Sequence, residues 1–107
     1  MSEDGANHMV EILLPLRDNK DAPYPTDVFN ALRDQLVSAF GGVTVFSRSP
    51  GEGLWRDKGA VSHDDVVVFE VMVASLDRPW WARLRRSLER KLRQKEIVIR
   101  AHRLERL

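Results

Sequence analysis

The sequence predicts a two-layer α+β fold, and three features carry that prediction. Two stretches, residues 26–40 and 77–95, repeat apolar side chains at helical spacing. Two β-branched runs, residues 43–48 and 66–73, stand back to back between them, and the second (VVVFEVMV) is the strongest strand signal in the chain. Shorter apolar runs at residues 9–16 and 96–102 precede the first helix and follow the second.

Each element has local chemistry to support it. Residues 1–8 read as a flexible tail before a single domain over residues 9–107. The first strand, MVEILLPL, should end at Pro15, because proline cannot donate to a ladder and is tolerated at strand ends. A polar loop over residues 17–25 leads to Thr26 or Asp27, either of which can cap a helix by accepting from an orphan amide of its first turn. Val28, Phe29, Leu32, Leu36 and Phe40 form its apolar stripe, and Gly41-Gly42 stops it, since glycine accepts the left-handed conformation common just past a helix end. The second helix has Asp77 as its cap and Pro79 at the first helical position, and it should run to about Lys95. Its apolar stripe is Trp81, Leu84, Leu88 and Leu92, with Trp80 expected at a helix end or an interface. The order β-α-β-β-α-β is that of the ferredoxin-like split βαβ arrangement: a four-stranded antiparallel sheet in the order 4-1-3-2, with both helices on one face.

Composition narrows the function. Of 107 residues, 43% are hydrophobic and 31% charged, the balance of a soluble globular domain. No apolar run is long enough to cross a bilayer, and the acidic N-terminus has no secretory pattern. The chain has no cysteine, so disulfides, thiol catalysis and thiolate metal sites are excluded, and a cytoplasmic setting is expected. The net charge of +1 conceals a split: residues 1–77 sum to −7 and residues 78–107 to +8. The basic part could face an anionic partner, or the two parts could face each other.

The sheet face away from the helices is where alternation becomes informative. On the third strand Phe69, Val71 and Val73 form one set, and Val66, Val68, Glu70 and Met72 the other. Both sets are apolar except for Glu70, as in strands buried on both sides. The open face is therefore expected to be covered, most simply by a second copy in a symmetric dimer, or else by the connection over residues 49–65. Glu11, Glu70, Arg100 and His102 should share that face. Together they could bind a small polar ligand, act as a general acid/base centre through Glu70 or Glu11 with His102, or form a structural ion-pair cluster.

The leading expectation is a site for a small ligand, anionic in one version, or a protein partner between the sheet face and the connection. Its residues would be Thr44, Arg48, Trp55, Arg56, Glu70 and Arg100. The three arginines would attract an anionic group, Trp55 would stack on it or cap it, and Glu70 would orient its polar parts. A further surface, the ridge of Arg83, Arg86, Arg90 and Arg93, could grip phosphates of a nucleic acid. Against that, no aromatic ladder interleaves with the arginines, and a solvated helix face explains them more simply. No cofactor is expected. Gly51-x-Gly53 lacks the frame of a phosphate loop, no nucleophile elbow occurs, and the adjacent His63, Asp64 and Asp65 cannot easily converge on one metal ion.

The run GGVTVF from Gly41, followed by GLWRDKG and then a strand, resembles small bacterial domains of unknown function over residues 41–73. In those, a glycine-led, threonine-containing strand precedes a tryptophan-containing loop. The resemblance implies a ferredoxin-like fold, often dimeric, and carries over no catalytic residue. Dimeric α+β barrel proteins, such as small monooxygenase-like domains, share the architecture.

Overall fold

A computed structural model of the chain describes residues 7–48 and 65–107. Along the chain the elements are β1 (His8–Pro15), α1 (Thr26–Phe40), β2 (Thr44–Arg48), β3 (Val66–Val73), α2 (Arg78–Leu92) and β4 (Val98–Arg103). All four strands form one antiparallel sheet, ordered β2-β3-β1-β4. The expected α+β class, with one four-stranded antiparallel sheet and two helices, is what forms.

One hydrophobic core accounts for the two layers. It joins Val10, Ile12 and Leu14 of β1 and Val67, Phe69, Val71 and Val73 of β3 to Leu32 and Leu36 of α1 and Trp81, Leu84, Leu88 and Leu92 of α2. The register places Val10 opposite Val71, Ile12 opposite Phe69 and Leu14 opposite Val67. These side chains therefore share one face, and both helices pack on it. Phe40, at the end of α1, lies 5.2 Å from Trp81 in a stacked arrangement and 5.1 Å from Trp80 edge-on. This three-ring contact ties the end of one helix to the start of the other. Trp81 is the core residue and Trp80 its half-buried cover, the division expected from the sequence.

The element ends refine several expectations. β1 begins at His8 rather than Met9, because Asn7 already bonds both neighbours: its N–H donates to the Val73 carbonyl (2.9 Å), and its carbonyl accepts from the Leu104 N–H (3.0 Å). α1 is capped by neither Thr26 nor Asp27. Pro25 takes the cap position, its carbonyl accepts from the Val28 N–H, and no side-chain cap forms. Gly41 ends the helix as expected, at φ 88°, with its N–H bonded to the Val37 carbonyl.

α2 starts after Asp77, whose carboxylate accepts from the Trp80 N–H (3.2 Å). It stops at Leu92, earlier than Lys95, because Arg93 turns left-handed at φ 54°. The N–H groups of Arg93 and Gln94 fold back onto the carbonyls of Arg90 and Glu89. The Leu92 carbonyl accepts instead from the Tyr24 hydroxyl (2.7 Å), and the Glu89 carboxylate accepts from the Ile97 N–H (3.0 Å). These bonds occupy the chain up to residue 97, and β4 begins at Val98 rather than Glu96.

Candidate functional site

The side chains that β1 and β3 do not give to the core project to the opposite sheet face. The register sorts them into rows running across the strands. One row is Arg100, Glu11, Glu70 and Thr44, contributed by β4, β1, β3 and β2 in turn. On one side lies the row Val98, Leu13, Val68 and Phe46, and on the other His102, Met9 and Met72. A polar row thus crosses the sheet face between rows that are apolar apart from His102. Phe46, Met72 and Val98 are among its exposed large apolar side chains.

Within the polar row the two glutamates are unlike. Arg100 donates through Nε to Glu11 Oε1 at 2.7 Å. That bond is the main reason the Glu11 carboxyl is held below the ordinary glutamate value, the charge of Arg100 adding to it. Glu70 sits directly opposite Glu11 and has no cation partner among the described residues. Desolvation, reinforced by the Glu11 carboxylate alongside, pushes its proton affinity up. The two carboxyls thus differ in proton affinity, Glu11 giving up its proton in stronger acid than Glu70. The pair presents several acceptors to a bound polar group.

Of the six residues expected to form the site, three fall in this row: Thr44, Glu70 and Arg100. Arg100 enters engaged with Glu11 rather than as a free cation. Arg48 closes β2 two positions beyond Phe46, its backbone paired with Val66. Trp55 and Arg56 lie outside the described residues, as do residues 1–6, His63, Asp64 and the rest of the 49–64 connection. His102 belongs to the adjoining row, opposite Met9.

Glu11, absent from the six, is central to the row. Its signal was present in the alternation of MVEILLP, where it is the single charge on the face away from the core. His8, Arg78 and Arg103 were missed altogether. Three separate elements bring them to one cleft on the helix side of the sheet, and no local spacing links residues so far apart in the chain.

The arginine ridge is present on α2, where Arg83, Arg86 and Arg90 are exposed on the side away from the core and Arg93 follows at the helix end. Among the described residues, no helix is long and apolar enough to cross a membrane. No family model matches the chain, and neither a curated protein nor a solved structure does. Its function must be read from its own residues.

Proposed function

We propose that this chain is a homodimeric, ferredoxin-like binding protein. Its open sheet face packs against a second copy and frames a small polar ligand at the Arg100–Glu11–Glu70–Thr44 row. The element order β-α-β-β-α-β, with the sheet reading β4-β1-β3-β2 from the β4 edge, supports the fold assignment. The observation that carries the functional reading is the polar row itself. Four hydrogen-bonding side chains from four strands are aligned between the apolar row Val98–Leu13–Val68–Phe46 and the Met9–Met72 row that His102 ends, a few placed polar groups in a largely apolar surround. The apolar rows favour association, and two-fold pairing is its commonest form. Cytoplasmic residence accords with a chain that lacks cysteine.

The assembly is tested by light scattering after gel filtration, comparing wild type with Met72→Asp, which places a charge among the apolar rows. Wild type should show the mass of two chains and the variant that of one. A monomeric wild type at high micromolar concentration overturns the dimer. The ligand is tested by thermal shift against a panel of polar metabolites, with Glu70→Gln as the control. A compound that stabilises wild type but not the variant supports the site, and a panel without one removes its support.

A second reading rests on the opposite displacement of the two carboxylates, the division of labour that acid/base pairs use. In it Glu70 delivers and retrieves a proton, Glu11 and Arg100 hold the charge pattern, and His102 borders the site. Carboxyl-carbon NMR titration checks its premise. Glu70 should titrate above and Glu11 below the ordinary glutamate value of 4.5, and coincident titrations remove this reading.

A further inference from the structure

The helix side of the sheet, opposite the face that carries the Glu11 and Glu70 side chains, has a concavity of its own. It is a cleft of about 530 Å³ between the start of α2 and the edge strand β4, with a volume in the range of small-molecule pockets. Its apolar lining comes from Val10, Leu76, Trp81 and Ile99. Its polar lining is basic, with His8 from β1, Arg78 from α2 and Arg100, His102 and Arg103 from β4, and among the described residues no carboxylate lines it. His8 and Arg103 are direct partners in the β1–β4 register, so both stand on the helix side. Neither Arg78 nor Arg103 has an ion pair among the described residues. The acid next to Arg78 in sequence, Asp77, is committed to the Trp80 N–H as the helix cap.

The walls are held in place independently of any ligand. Asn7 is bonded to Val73, Ala74 and Leu104, which locks the start of β1 between its two neighbours. Trp81 is a buried core residue, so the turn bearing Arg78 is anchored. The His8 Nδ1 is enclosed without a hydrogen-bond partner, which leaves Nε2 as the nitrogen through which that ring can act.

From this cleft we infer a binding site for a small aromatic monocarboxylate, its ring on the Val10–Trp81–Ile99 floor and its carboxylate between Arg78 and Arg103. The guanidinium fork matches a carboxylate in shape and charge. Among the described residues, these two guanidiniums have no ion pair and stand over an apolar floor that no carboxylate lines, which leaves a charge that such a ligand would complete. A bare inorganic anion would leave the floor uncovered, and a neutral aromatic would leave the arginines unmatched. The inference stands apart from the reading of the open face, since it uses the other side of the sheet and none of the Arg100–Glu11–Glu70–Thr44 side-chain chemistry.

Amide-resolved NMR titration tests it, with phenylacetate as the probe and phenylacetamide, acetate and inorganic phosphate as comparisons. Phenylacetate should shift the amides of Val10, Leu76, Ile99 and Ala101. The three comparison compounds should each bind at least about tenfold more weakly, since each lacks either the charge or the ring. The double variant Arg78→Gln, Arg103→Gln changes only exposed side chains, so its melting temperature should stay near that of wild type while phenylacetate affinity falls at least about tenfold. The inference is overturned by any of four results: no shifts at these amides up to about 10 mM phenylacetate, equal binding of acid and amide, undiminished affinity in the double variant, or shifts centred on Glu11 and Glu70.

Discussion

Replacing Glu70 by glutamine should make this protein more stable at neutral pH. Glu70 faces Glu11 directly across β1 and β3, and two carboxylates so opposed repel. Cross-strand pairs of this kind are worth up to about 1 kcal/mol. The Glu11 side chain is only 14% exposed, so solvent does not screen the repulsion completely. Glutamine keeps the shape, removes the charge and adds a donor toward Glu11. A gain of about 0.5–1 kcal/mol should therefore appear, corresponding to a rise in Tm of about 2–8 °C for a domain of this size.

The pH dependence gives the prediction its sharper form. The proton affinity of Glu70 is raised in the folded state, so between the ordinary value of 4.5 and the raised one the folded protein binds more protons than the unfolded chain. Stability due to Glu70 therefore falls as pH climbs through that interval. In stronger acid both states carry the proton and the penalty is absent. The advantage of Glu70→Gln should be missing in acid, open above the ordinary glutamate value and then level off.

Glu11 behaves oppositely. Its affinity is lowered, so its contribution is present above 4.5 and is lost as pH falls through the lowered value. Glu11→Gln removes the Arg100 ion pair, worth only a few tenths of a kcal/mol because Arg100 is 49% exposed. At neutral pH it also relieves the repulsion with Glu70, so its cost should show below the pH at which Glu70 ionises and be offset above it. Thermal melts of wild type and both variants from about pH 3 to about pH 8 test the scheme. A lower Tm for Glu70→Gln at neutral pH, or the same displacement in acid as at neutrality, refutes it. A carboxylate placed where it costs the fold stability is itself a pointer to use.

Two further predictions concern the scaffold that presents these sites. Leu36 is fully buried against the sheet, and Leu36→Ala should cost about 2–5 kcal/mol, read as a lowered urea midpoint at unchanged slope. The Tyr24 hydroxyl donates to the Leu92 carbonyl at 2.7 Å and accepts from Gln94 Nε2 at 2.8 Å. Tyr24→Phe should cost about 1 kcal/mol by the same measurement and speed hydrogen exchange at Arg93 and Gln94, and unaltered exchange there would show that this bond does not secure the helix end.

Local chemistry in the sequence determined the α+β class, the positions of the described strands and helices, the glycine stop at Gly41, the Asp77 cap and the core stripes of both helices. Each depends on residues a few positions apart, whose spacing sets which face they share. Alternation within single strands also put Glu11 and Glu70 on the face away from the core. Alternation says nothing of register, however, and register is what sets Glu11 directly between Glu70 and Arg100. That depends on how strands distant in the chain slide past one another, a matter decided by burying Val10, Ile12 and Leu14 against Val67, Phe69 and Val71. The end of α2 was likewise decided by contacts beyond its own residues. α2 stops at Leu92 because Tyr24 and Glu89 offer its terminal groups and the following strand better partners than another turn would. The cleft of His8, Arg78 and Arg103 is wholly a product of the tertiary structure. Three residues with no common spacing meet there only because β1 pairs with β4 while α2 begins beside them.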